Sequence, residues 1–202
     1  MNREYALPGY IAVALALLFP VYWISRLGVG GASFEEAFHA DVTRLDAWDL
    51  LFVLIGVMEI YLYFSLRKLL QERLQGTLPA AVLLLMAIVV GVFHATVVFD
   101  LVLAIGPELT PGMEDRLVVA AAVVAISGLF VYAVLGFALS IMLLLPGAES
   151  PPLLKLFAAL LMACCVLQFT IVFGILNVAL FPVVLLLLAI YFLRGGHQVE
   201  VV

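Results

Sequence analysis

Between Leu153 and Leu193 the chain runs 41 residues with Lys155 as its single charged side chain. As one helix such a run would reach roughly 60 Å, about twice the ~30 Å of hydrocarbon in a bilayer. It therefore has to fold back inside the membrane. Gly174, Asn177 and Pro182 are the breakers at hand, which predicts one span over 152–173, a tight hairpin, and a last span over 178–193. Pro182 then falls in the first turns of that last helix and bends it or shifts its start. A start at Pro182 itself would leave a helix too short to span and a partly re-entrant end.

The rest of the chain is similar in character. Of 202 residues 67% are hydrophobic and 11% charged, where soluble domains average about 45–50% and 25%. A water-exposed globule of this size cannot be covered with so few polar residues. Apolar segments near 8–27, 47–66, 78–105 and 113–145 complete a set of six. The expected fold class is an all-α polytopic membrane protein, residues 1–202 forming a single bundle of six transmembrane helices. The first segment runs for about twenty residues without a small-residue cleavage pattern, which predicts a retained helix rather than a signal peptide. Asp46 is placed to cap the second span, and Thr77 and Thr110-Pro111 to open the third and fourth. Gly106-Pro107 and Pro146-Gly147 act as stops.

Between the first two spans, Ser33 and Glu36 have capping-box spacing, and Phe34, Phe38, Val42 and Leu45 recur near helical period. This predicts one outer amphipathic interfacial helix over about 34–45. Arg3, Arg67, Lys68, Arg73, Lys155 and Arg194 fall on one side of the threaded chain, and Arg26, Arg44 and Arg116 on the other. That bias puts both termini in the cytoplasm of a bacterial inner (plasma) membrane. Trp23 and Trp48 then fall at the outer interface, and Tyr63 and Tyr191 near the inner one. Glu35, Glu36, Asp41, Asp46, Asp49, Glu108, Glu114 and Asp115 all gather on the outer side.

Each ionisable group inside hydrocarbon costs ~2.5–3.5 kcal/mol on the insertion scale, so it marks a partner, water or a function. Glu59 lies ~12 Å from the inner end of its span, His94 ~24 Å from the inner end of the third, and Asp100 ~9 Å further out. Glu59 and His94 thus differ by ~12 Å in height. By the same count Gln168, Tyr132, Ser127, Thr96 and Thr170 approach the level of His94, which predicts a polar layer in the outer half. The competing reading is that these groups bond each other or nearby carbonyls as interhelical glue. Glu59 is open to being held protonated, to pairing with Lys155 or Arg194, or to acting as a proton or coupling-ion site.

Other chemistries lack their residues. A net charge of −5 disfavours nucleic acid as a partner. Cys164 and Cys165 are adjacent and read as apolar filler. Glu36-x-x-His39 is a single Glu-x-x-His pair where di-iron sites need two, and His94 lacks the second axial histidine of a membrane haem. No hydrolase elbow, zinc motif or phosphate loop occurs. Ala12, Ala16, Gly128, Gly136 and Ser140 mark close helix packing, within the chain or between copies. No cofactor, metal or catalytic residue is expected, and an enzyme is the less favoured class. The expected function is a lipid-embedded, oligomeric protein that binds or conducts a small solute or ion along a polar path drawn from Glu59, His94, Tyr132, Gln168 and Asp100. The alternative is a non-catalytic subunit or scaffold of a larger membrane complex.

Overall fold

The computed structural model describes residues 5–27, 34–74, 77–106, 109–145, 150–170 and 172–194, and among them the chain forms eight α-helices with a 3-10 turn ahead of the last. The helices are α1 (Ala6–Leu27), α2 (Phe34–Val42), α3 (Ala47–Leu74), α4 (Thr77–His94), α5 (Val97–Ile105), α6 (Pro111–Leu144), α7 (Pro152–Phe169) and α8 (Asn177–Leu193), with the 3-10 turn at Val172–Leu176. Six stretches are long and apolar enough to cross a membrane, α4 and α5 together making one of them. The protein is an all-α polytopic membrane protein.

The six spans close into a ring in chain order. α1 packs on α3, α3 on α4, α4 on α6, α6 on α7, α7 on α8, and α8 returns to α1. Tyr5 stacks on Phe192 where the ring closes, so the start of the first span and the end of the last lie at the same face of the bundle. Tyr5 also donates a hydrogen bond to Glu72, which puts the far end of α3 on that face too. The fully buried side chains concentrate in that half of the ring: Leu66, Leu69 and Leu70 of α3, Leu139 and Leu143 of α6, Leu154 of α7, and Tyr191 and Phe192 of α8. In the opposite half α5 buries no residue.

Four of the five small residues, Ala12, Ala16, Gly136 and Ser140, pack within the chain. Ala12 and Ala16 are buried, and Ser140 Oγ donates to the Gly136 carbonyl at 2.8 Å. A Cβ on Gly136 would stand 2.8 Å from Cys165 Sγ, so this glycine lets α6 and α7 approach closely.

Several boundaries depart from expectation. The third span is not one helix: α4 stops at His94, Ala95 and Thr96 form a turn, and α5 resumes at Val97. The Thr96 N–H bonds to the Phe93 carbonyl three residues back, as does its own hydroxyl at 2.7 Å, and these bonds replace the regular α-helical ladder. The hairpin falls where the breakers placed it, but α7 ends at Phe169 rather than 173. Asn177 Nδ2 donates to the Cys164 carbonyl at 3.0 Å and to Gln168 Oε1 at 3.2 Å, fastening α8 to α7 across the turn. Pro182 lies inside α8, as expected. Tyr63 and Tyr191 are buried in the bundle, at 7% and 2% exposure, and do not sit in an interfacial belt. Their rings lie on faces that the ring closure turns inward. The helix expected over 34–45 forms as α2, ends at Val42 and rests against α5 and α6. Ser33, the Glu36 side chain, Pro107, Glu108 and Pro146-Gly147 lie outside the described residues.

Candidate functional site: a buried carboxyl in the ring lumen

Glu59 and Tyr63 are four residues apart on α3, hence on one face, and that face points into the ring. Around them stand Met86 of α4, Tyr132 and Leu139 of α6, Phe157 of α7, and Leu185 and Leu188 of α8. The space they enclose has room for about one water molecule. The Tyr63 and Tyr132 hydroxyls hydrogen-bond to each other across the lumen, tying α3 to α6. Two hydroxyls joined by one bond leave one O–H over, and no acceptor for it is found among the described residues. Glu59 is 7% exposed, and among the described residues no cation or hydrogen-bond donor meets its carboxyl. Neither Lys155 nor Arg194 reaches it: both stand at the end of the bundle where Tyr5 and Glu72 meet.

His94 ends α4 with its ring against Phe52, centroids 4.3 Å apart, and edge-on to Phe93 at 5.1 Å. Nδ1 lies 2.9 Å from the Val90 carbonyl, which can only accept, so Nδ1 carries a proton. The ring occupies the space a side chain at Gly56 would need. His94 therefore lies beside the Phe52–Gly56 stretch of α3, one to two turns from Glu59, a rise of ~5–10 Å rather than ~12 Å. Packing sets the register of α3 against α4, and distances counted from helix ends miss it.

At the opposite end from Tyr5, Arg26 of α1 meets three aspartates: Asp41 of α2 at 2.7 Å, Asp46 at 3.4 Å and Asp49 at 3.5 Å. Asp46 and Asp49 also cap α3 reciprocally. Asp46 Oδ1 accepts from the Trp48 N–H at 2.7 Å, and Asp49 Oδ2 from the Asp46 N–H at 2.6 Å. Asp100 of α5 is within electrostatic reach of this group and stands apart from the lumen. His39 of α2 lies 3.8 Å from Glu114 of α6.

One arginine cannot neutralise three aspartates. Burial, with Asp49 and Asp46 nearby, holds the Asp41 carboxyl above its usual value of 3.8 against the pull of Arg26. A carboxyl whose folded value is raised adds stability at low pH and loses it as pH rises through that value. Hydrogen exchange along α2 is therefore expected to speed up as pH rises above about 4, after correction for intrinsic rates. Asp41→Asn should leave α2 as well protected or better, whereas Arg26→Gln should expose it and cost about 1–3 kcal/mol. Equal losses from the two substitutions would contradict this account.

The polar layer expected from equal heights is not assembled. Gln168 bonds to Asn177 in the hairpin, Ser127 is exposed, and Thr96 and Thr170 bond to carbonyls of their own helices. Tyr132 instead joins Tyr63 beside Glu59. Sequence reasoning passed over Tyr63, although its position one helical turn from Glu59 was a usable signal. No protein family, curated protein or solved structure matches the chain. The six spans define an integral membrane protein in contact with lipid.

Proposed function

We propose that this protein binds and conducts a small cation, the proton included, along the lumen of its six-helix ring, with Glu59 as the site the cation occupies on the way. The observation that carries this reading is a carboxyl at the ring centre with no ionic or hydrogen-bonding partner among the described residues. A negative charge among leucines and phenylalanines is tolerated only when a cation comes with it. Bundle interiors that hold an unmatched ionisable group are typical of ion and proton pathways.

The acid-rich end formed by Asp41, Asp46, Asp49, Asp100, Glu114 and Asp115 would concentrate cations at one mouth. We place that mouth outside and both termini in the cytoplasm, in line with the basic residues at the other end. A membrane-impermeant maleimide added to intact cells should then label Glu114→Cys and spare Lys155→Cys; the reverse pattern would invert the orientation.

The function itself is tested by cation flux in proteoliposomes. The native chain is expected to pass protons, sodium or potassium above the level of empty vesicles, and Glu59→Gln to lower that flux about tenfold or more. Flux unchanged in Glu59→Gln would remove Glu59 from the path. No flux together with co-purification of a second membrane protein in mild detergent would favour the complex-subunit reading.

A further inference from the structure

We infer that the cation held at Glu59 is a proton rather than a metal ion, and that Glu59 exchanges it with the hydroxyl pair of Tyr63 and Tyr132. This inference rests on the reading above that Glu59 is a site of cation passage.

The first ground is space. The lumen at Glu59 has room for about one water molecule, too little for a hydrated metal cation or an organic solute. The second ground is ligand number. A metal cation that sheds its water needs a shell of oxygens, about six for the hard divalent ions, and pores that strip monovalent ions replace the hydration shell with carbonyls. Of the side chains around this space only Glu59, Tyr63 and Tyr132 carry oxygen, one carboxyl and two phenol hydroxyls, and the surface that faces the void itself is apolar. Backbone carbonyls of α3, α4, α6 and α7 at this level already accept helix hydrogen bonds. A proton needs neither volume nor a shell, since one carboxylate oxygen is enough to hold it.

The third ground is the spare phenolic O–H left by the Tyr63–Tyr132 bond. One turn along α3 from the Glu59 carboxyl, it offers a donor and acceptor through which a proton can be passed on. In each transfer the balance is simple. A donor O–H gives its proton to a Glu59 oxygen, which becomes the neutral acid, and the donor is restored by a proton from its far side.

The titratable groups around the site are few. Tyr63 stands on the same helix, Tyr132 faces from α6, Cys165 of α7 is near the tyrosine pair, and His94 of α4 lies one to two turns away. α8 contributes Phe181, Val184, Leu185 and Leu188, all apolar.

The test uses the full chain in vesicles of phosphatidylethanolamine and phosphatidylglycerol, with a pH dye inside and valinomycin with potassium to carry the balancing charge. Radioactive sodium and rubidium uptake are followed in parallel. The expected result is an acid-driven internal pH change that Glu59→Gln slows about tenfold or more, that Glu59→Asp partly restores, and that Tyr132→Phe also slows. Sodium and rubidium uptake should match empty vesicles. Sodium or rubidium uptake that depends on Glu59 would overturn the proton assignment while leaving cation passage standing. No Glu59-dependent movement of any of the three would overturn both. Infrared spectra of the same samples provide a readout independent of transport. The carboxylic C=O band that Glu59→Gln removes should be unaffected by added sodium, and a sodium-induced loss of that band would again overturn the assignment.

Discussion

Glu59→Leu is expected to make the protein more stable and, at the same time, to stop its flux. Leucine is close to glutamate in volume, and the surroundings of Glu59 are Leu62, Leu83, Met86 and the apolar face of α8. Replacing a lone carboxyl there removes an insertion cost of ~2.5–3.5 kcal/mol and takes away no bond to a described residue. Part of that cost is already relieved in the native protein whenever the carboxyl is protonated, so the expected gain is about 1–3 kcal/mol. Thermal unfolding in detergent, followed by a hydrophobicity-independent probe such as far-UV circular dichroism, measures it. A large loss of stability would mean that the carboxyl is bonded in the folded protein and serves structure, which would weaken its assignment to the path. A gain in stability with lost flux is the pattern of a site maintained for function at a structural cost.

Gly56→Ala should act in the opposite sense to the usual helix substitution. In a helix interior, alanine in place of glycine ordinarily stabilises by about 0.5–1 kcal/mol. Here the new methyl would meet the His94 ring, which packs against Phe52 and Phe93 and is tethered through Nδ1 to the Val90 carbonyl. The ring cannot retreat without giving up those contacts, so the expected cost is about 1–3 kcal/mol. Removing the ring should remove the conflict. In a His94→Ala background the same Gly56→Ala change should be neutral or stabilising, a coupling of at least about 1 kcal/mol in a double-mutant cycle. Additive effects would show that Gly56 and His94 do not share this space.

The architecture was legible because lipid is a demanding solvent. Six apolar runs of spanning length and the fold-back forced on the 41-residue tail leave little choice of fold class. Asp46 as a cap and Pro182 within the last helix were legible for the same local reasons. The break after His94 was not, since Phe93, His94, Ala95 and Thr96 carry no glycine or proline, and the turn is made by hydrogen bonds that bypass the regular ladder. The composition of the lumen was legible only in part. Height along a span follows from counting residues, but the direction a side chain faces depends on how the helices rotate and slide in packing. Glu59 and Tyr132 were found because polar groups are rare in these spans. Gln168 and Ser127 share the same rarity yet face the hairpin and the lipid side. Tyr63 was missed because an aromatic residue near a helix end fits an interfacial belt as readily as a buried contact.

The closure of the ring by its first and last spans has a consequence for biosynthesis. Four residues that wall the space around Glu59, namely Phe181, Val184, Leu185 and Leu188, belong to α8, which leaves the ribosome after the other described helices. At about 5–20 residues per second, the roughly 130 residues from Glu59 to Leu188 take some 6–25 s to make. Throughout that interval the carboxyl is already in or near the bilayer without its enclosure. The growing chain therefore has to shelter an acidic group by other means, through water, lipid headgroups or the insertion machinery, until α8 arrives and covers it.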